Sequence, residues 1–160
     1  MSIFSELGIR EDKGRIHEEL LYNLAACYSL IEQEIEKFLS FYNLSPVKMN
    51  ALLMIKHVGK GAGLSQAEIC KRMIVSAGNI TRLVDRLERE RLVERTDQKG
   101  DRRVNFIKIT KKGSDLLNRV WPVYRKKVDE IVSLLPRRDV GLVTGRLNHL
   151  RERVLKLKGA

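Results

Sequence analysis

Side chains that can hydrogen-bond to nucleic-acid bases recur on one face of a predicted helix over residues 76–89. Near its amino-terminal end stand Ser76, Gly78, Asn79, Thr81 and Arg82. An Asn amide can pair with adenine and an Arg guanidinium with guanine, while Ser and Thr hydroxyls suit several bases. Arg86 and Arg89 follow one and two turns later, where they suit phosphates. The pattern predicts a helix that reads base edges in a DNA groove.

Local signals predict the elements that position this helix. Ser65 is a natural N-cap and Glu68 stands three residues on, so a capping box should start a short helix that ends near Met73. We expect its inward side to carry Ala67, Ile69 and Cys70. The second helix, capped by Ser76, has apolar residues at spacings of three and four: Ile80, Leu83, Val84 and Leu87. Ser65 and Gln66 open the supporting helix, whose free N–H groups can hold a phosphate.

A hairpin is predicted after the second helix. Residues 93–96 and 104–110 are short and apolar enough to pair, and the polar tip between them turns at Gly100. Two helices separated by a short turn and followed by a basic hairpin form a winged helix-turn-helix. The expected fold class is therefore mainly α with a small β-hairpin wing.

The helix, link and wing motifs together resemble the MarR family of bacterial and archaeal transcription regulators. The resemblance rests on residues 76–88 (SAGNITRLVDRLE), 92–95 (LVER), Asp97, 101–103 (DRR) and the Ile109-Thr110-x-x-Gly113 pattern. Flanking helices extend it over nearly the whole chain. Ile74 and Arg91 depart from the family pattern, which commonly has Gly at both positions. If Arg91 takes a left-handed conformation, the strain is about 1–2 kcal/mol.

The resemblance implies that Arg103 enters the minor groove, with Asp101 as its orienting partner and Arg102 nearer the phosphates. A carboxylate two residues away on an extended strand can hold a guanidinium in one orientation. The alternative is an exposed Asp101–Arg103 ion pair worth about 0–1 kcal/mol to the fold. The candidate DNA-binding residues are Ser65, Gln66, Ser76, Gly78, Asn79, Thr81, Arg82, Arg86, Asp101, Arg102 and Arg103.

Helical spacing of apolar residues predicts long helices on both sides of this unit. Residues 15–41 form one, after a partly ordered lead-in over 1–14, and Ser45 with Pro46 starts the next. Thr110 should cap a long helix containing Pro122, Trp121 and Tyr124. We expect Trp121 and Tyr124 to pack in the core. The alternative is that they line a pocket for an effector. A last helix carries a coiled-coil-like seam of Val143, Leu147, Leu150, Val154 and Leu157.

The expected organisation has three parts. Residues 1–45 form the lead-in and a dimerisation helix, 46–112 the winged helix-turn-helix, and 113–160 the carboxy-terminal dimerisation helices. By resemblance, the terminal helices intertwine with those of a second chain, and a small aromatic or lipophilic effector binds between the dimer region and the DNA-binding lobes. The sequence leaves the effector-binding residues unknown. The resemblance favours a repressor, although the sequence alone does not separate repression from activation.

The net charge of +11 lies mostly outside the first 63 residues, which hold 7 Lys/Arg against 8 Asp/Glu. Residues 64–112 hold 13 against 7, and residues 113–160 hold 11 against 5. Such an excess of positive charge points to a polyanionic partner. Double-stranded DNA is the first candidate and an anionic membrane the second. Charge that serves solubility alone is the simpler reading. With no signal peptide and no apolar run of about 20 residues, we expect a cytoplasmic chain with no membrane partner.

Two other classes of function fit the sequence less well. A thiol-based redox sensor using Cys27 is the alternative regulator, although no neighbouring basic residue would lower the thiol pKa. Enzymatic activity is not expected, because His17, His57 and His149 lie on different predicted helices without a catalytic, metal or phosphate-loop pattern. The sequence therefore predicts no cofactor and no metal site.

Overall fold

The computed structural model describes residues 2–9, 15–73, 77–98 and 101–157, with backbone alone at 77–78, 97–98 and 101–105. In chain order the elements are α1 (Ile3–Glu6), α2 (Ile16–Ser40), α3 (Pro46–His57), β1 (Leu64–Ser65), α4 (Gln66–Arg72), α5 (Ala77–Arg89), β2 (Val93–Gln98), β3 (Asp101–Ile109), α6 (Lys111–Val132) and α7 (Arg137–Leu157). They form two compact units, Met1–Trp121 and Pro122–Ala160.

The sheet of the first unit has three antiparallel strands in the order β1-β3-β2. Val93 of β2 lies opposite Ile109 of β3, and the register between these strands shifts at Asp97 and Gln98. On the other side of β3, Leu64 pairs with Ile107. The predicted hairpin is confirmed, but the third strand was not foreseen, because a two-residue strand has no periodicity of its own.

Side-chain caps start α3 and α6 as the sequence predicts. The Ser45 hydroxyl accepts a hydrogen bond from the Lys48 backbone N–H at 3.3 Å, and Pro46 occupies the first position of α3. At α6, the Thr110 hydroxyl accepts from the Gly113 N–H at 3.1 Å and donates to the Arg91 carbonyl at 2.8 Å. Thr110 thereby caps α6 and also ties its start to the link that follows α5.

The link between α5 and β2 turns through Arg91 in the left-handed region, with φ of 58°. Its N–H donates to the Glu88 carbonyl at 2.8 Å, and the Leu92 N–H donates to the Leu87 carbonyl at 2.9 Å. Gly113 packs directly against this link, because an added Cβ would lie 2.2 Å from the Leu92 carbonyl oxygen. Arg91 therefore takes the left-handed conformation considered for it from the sequence, and this link carries the strain that a glycine would avoid.

The core of the first unit joins α3, α4, α5, α6 and the sheet. Its most deeply buried side chains include Leu52, Ile55, Ile69, Ile80, Val84, Leu87, Ile107, Leu117 and Val120. Three expectations need correction, since Ala67 is exposed while Cys70 and Leu83 are only half-buried. Trp121 was also expected to be buried in the core, but 40% of its surface is exposed.

The lead-in contains a helix that the sequence did not reveal. Ser2 caps α1, and Phe4 is buried with its ring edge-on to Tyr22 of α2, the centroids being 5.7 Å apart. A four-residue helix shows no apolar period, and its stability depends on this contact.

In the second unit, α7 presents its apolar seam to solvent. Leu147, Leu150 and Val154 are each about two-fifths exposed. None of the helices within the described residues is long and apolar enough to cross a membrane. The three-part division of the chain remains a prediction.

Candidate nucleic-acid interface

A capping box fixes the start of α4. The Ser65 hydroxyl accepts from the Glu68 N–H at 3.2 Å, and the Glu68 carboxylate accepts from the Ser65 N–H at 2.9 Å. The hydrogen bond from the Ser65 backbone is the largest cause that lowers the pKa of Glu68. The prediction of this box is confirmed. Because the Ser65 side chain is engaged within the box, its contribution at an interface would be to hold the first turn of α4 in place.

Gln66 and Thr81, two predicted DNA-binding residues on different helices, lie against each other. The Gln66 Nε2 donates to the Thr81 Oγ1 at 2.5 Å. This bond joins the first turn of α4 to α5 and leaves the hydroxyl hydrogen of Thr81 directed elsewhere. The two side chains therefore form one polar surface across the helix-turn-helix.

The outer face of α5 is polar and cationic. Asn79, Thr81, Arg82, Arg86 and Arg89 are exposed, whereas Ile80, Val84 and Leu87 on the opposite face are buried. Arg86 Nε lies 3.4 Å from a Glu90 carboxylate oxygen, and Arg89 Nε donates to the Asp85 carbonyl at 3.3 Å. Burial of one face thus fixes which side chains α5 presents outward.

Arg95 of β2 joins the sheet to α5 through two carboxylates. Its guanidinium donates to both Asp85 and Glu88, and its backbone N–H donates to Glu88 at 3.3 Å. The hydrogen bond to Asp85 is the largest cause that raises the pKa of Arg95. This three-residue network was not predicted from the sequence. The sequence pattern that could have predicted it is a pair of acidic residues three positions apart on a helix, followed by a strand that contains one arginine.

Lys111 and Lys112, at the start of α6, find their partners within the chain. Lys111 Nζ pairs with Asp115 at 2.7 Å, a contact that raises the pKa of Lys111. Lys112 Nζ donates to the Glu90 carbonyl at 2.8 Å. Cations in a first helical turn oppose the helix dipole, and these two acceptors within the chain offset that cost.

Several predicted residues are only partly placed. The backbone of Gly78 lies in α5, and Asp101, Arg102 and Arg103 begin β3. Ser76 and the side chains of the three wing residues lie outside the described part of the chain. Their assigned roles therefore stay predictions.

An apolar groove of about 890 Å³ lies within the first unit. Its walls include Tyr28, Ile31, Leu53, Met54, Met73 and Trp121, while His57 and Arg72 add polar groups. The Tyr28 hydroxyl donates to Glu32 at 2.9 Å, which raises the phenol pKa. Trp121 was expected either to pack in the core or to line a pocket, and its position in the wall of this groove agrees with the second expectation. Among the described residues, no group of three or more His, Cys, Asp or Glu could hold a metal ion.

Comparison with known proteins identifies the class to which this winged helix-turn-helix belongs. The MarR family model matches residues 42–104. The HTH-type transcriptional regulator MhqR of Bacillus subtilis (strain 168) is 30% identical over 132 residues, which cover 82% of this chain and 89% of that protein. The chain therefore belongs to the MarR family of transcription regulators.

Solved structures confirm the fold. A mutant MarR from E. coli complexed with operator DNA matches with a TM-score of 0.77 at 20% identity, covering 88% of this chain and 99% of that chain. The organohalide-sensing regulator RdhR bound to 2,4-dichlorophenol matches with a TM-score of 0.81 at 18% identity, covering 92% and 88%. The curated relatives that the chain matches, such as MhqR, are named as transcription regulators, which does not favour the redox-sensing alternative.

Proposed function

We propose that this chain is a sequence-specific DNA-binding transcription regulator that acts as a homodimer on a palindromic operator. The outer face of α5 carries the proposal, because it offers an amide, a hydroxyl and guanidinium groups on a helix whose opposite face is buried. The operator complex of the MarR structure from E. coli supports the same use of this fold.

The proposed contacts separate into base readout and phosphate binding. Asn79, Thr81 and Arg82 read base edges in the major groove, and Ser76 and Gly78 are proposed to contact the DNA as well. Arg86 and the first turn of α4, which contains Gln66 and which Ser65 holds in place, bind phosphates. In the wing, Arg103 enters the minor groove beside Asp101, and Arg102 contacts the backbone.

Exposed apolar stripes support the homodimer. On α2, Ile16, Leu20, Tyr28 and Ile31 are about half or more exposed, and α7 exposes the seam described above. Contiguous apolar surface of this kind marks interfaces in proteins that otherwise carry many charges. Because a twofold-symmetric dimer presents two copies of α5, its binding site should be a palindrome.

Selection of bound duplexes from a random DNA pool tests this function. We expect a palindromic consensus whose half-sites are centred about 10 base pairs, or a multiple of that, apart. Recovery of sequences with no consensus would contradict specific readout, and a consensus without symmetry would contradict the dimer.

We propose repression as the mode of action. A promoter that contains the selected site should give more reporter output when the regulator is absent than when it is present. Lower output in its absence would indicate activation.

The apolar groove is the proposed effector site. Its volume suits a small aromatic molecule, and Arg72 offers a cationic group to a phenolate or another lipophilic anion. Arg72 is the last residue of α4 and Met73 is its C-cap, so an occupant would contact the end of the helix that supports the readout helix. The dichlorophenol complex of RdhR supports this ligand class.

Trp121 lines the groove and is the one tryptophan of the chain, so its fluorescence reports occupancy. Titration with 2,4-dichlorophenol should change this fluorescence saturably. Substitution Leu53→Phe narrows the groove without adding a second tryptophan, and it should weaken that response while leaving the melting temperature nearly unchanged. An equal, saturable response in both proteins would exclude the groove as the binding site.

A further inference from the structure

Lys48 is the one charged residue that is buried among those the structure describes, with 5% of its surface exposed. It lies in the first turn of α3, where a cation opposes the helix dipole. Its ammonium donates to both carboxylate oxygens of Glu90 at 2.6 and 2.7 Å, and to the Asn43 carbonyl at 3.3 Å. These bonds use the three donors that an ammonium possesses, so the buried charge is fully satisfied.

Glu90 is equally unusual in its position. It follows the last residue of α5, where a carboxylate opposes the dipole of that helix. Its side chain is about one-third exposed and faces two cations, Lys48 and, at 3.4 Å, Arg86. Each charge of the Lys48–Glu90 pair thus stands at the unfavourable end of its own helix and is stabilised by the other.

The pair connects the ends of several helices. Asn43, which accepts from Lys48, lies in the turn after α2 with φ of 54°. The Glu90 carbonyl accepts from Lys112 at the start of α6. A buried ion pair is weak evidence for stability, because desolvation offsets much of the attraction, but its directional bonds can fix one geometry. Here that geometry relates the end of α5 to the α2–α3 turn and to α6.

We propose that Lys48 and Glu90 are positioning residues that set the direction of α5 without contacting DNA. The inference rests on the proposed readout by α5. Discrimination between operator and other DNA depends on the placement of Asn79, Thr81 and Arg82 against base edges, and small displacements remove such contacts. Binding to phosphates tolerates displacement because it depends chiefly on charge. Loosening the pair should therefore reduce discrimination more than general DNA affinity.

The test compares Lys48→Met, Glu90→Gln and the double variant with the unaltered chain. Lys48→Met removes a positive charge and Glu90→Gln removes a negative one, so charge alone predicts weaker binding for the first and tighter binding for the second. Dissociation constants are measured on the selected operator and on a scrambled duplex of equal length. Salt is fixed, and the temperature is well below the melting point of every variant.

Both single variants should lose about fivefold or more in operator affinity relative to scrambled DNA, within the usual range for coupled contacts. The double variant should lose little more than either single one, because both substitutions break the same link. Lys111→Met, which removes an exposed cation outside this link, is the control and should leave the ratio unchanged. If either single variant does not fold, the double variant decides, because it leaves no buried charge without a partner.

An unchanged operator-to-scrambled ratio in the folded variants would overturn the positioning role, as would tighter operator binding by Glu90→Gln. If the proposed function itself is wrong, the unaltered chain will not discriminate between the two duplexes. The two failures are therefore distinguishable.

Discussion

Replacement of Arg95 by Met should loosen the sheet from α5. The substitution removes the guanidinium that bonds Asp85 and Glu88, and it leaves two carboxylates three residues apart on one helix. Hydrogen bonds to charged groups contribute about 1.5–3 kcal/mol each when buried. The Arg95 side chain is 27% exposed and the carboxylates 46% and 38%, so water can replace part of this interaction. We therefore expect a total loss of about 1–3 kcal/mol in the free energy of unfolding.

Thermal unfolding followed by circular dichroism measures this loss. For a unit of this size the melting temperature should fall by roughly 4–10 °C. Arg89→Met is the matched control, because it removes the same charge from an exposed position whose bond goes only to a carbonyl of its own helix. Its effect should stay within about 0.5 kcal/mol. Equal melting temperatures for the two variants would refute the structural role assigned to Arg95.

Three further predictions concern the capping box, the wing and α7. Ionised Glu68 stabilises the fold above the ordinary glutamate pKa of about 4.3, and this contribution is lost as pH falls through its lowered folded-state pKa. The stability difference between the unaltered chain and Glu68→Gln should therefore shrink between pH 7 and about pH 3 in urea titrations; a constant difference would contradict the box. Arg103→Ala should weaken operator binding by about 1–3 kcal/mol with little change in melting temperature. Asp101→Ala should do part of this damage, and tighter binding would show that Asp101 does not orient Arg103. Removal of residues 137–160 should abolish the dimer in sedimentation experiments; a dimeric truncated chain would place the interface elsewhere.

Local signals in the sequence were sufficient for helices α2 to α7, for the caps of α3, α4 and α6, and for the outer face of α5. Ser45, Ser65 and Thr110 act within three residues of the N–H groups that they cap, so spacing alone reveals them. The alternation of buried and exposed positions in α5 follows from one helical period. Those features include most of the candidate readout surface.

Features that depend on distant residues were not predictable from spacing. Lys48 and Glu90 are 42 positions apart, and nothing in the sequence near Lys48 marks it as buried. Strand β1 exists because Leu64 meets Ile107 in the folded chain. Ala67 was placed inward because it is apolar, but on a two-turn helix several rotations satisfy the same pattern. Tertiary contacts decided each of these cases.

A repeated duplex selection with Arg82→Ala tests the central claim, that the outer face of α5 reads bases. Arg82 is exposed on that face, and an arginine at a base edge can recognise guanine through two hydrogen bonds. We predict that the consensus loses its preference at one symmetric pair of positions while the rest of the palindrome is retained. An unchanged consensus from a folded Arg82→Ala protein would contradict the claim.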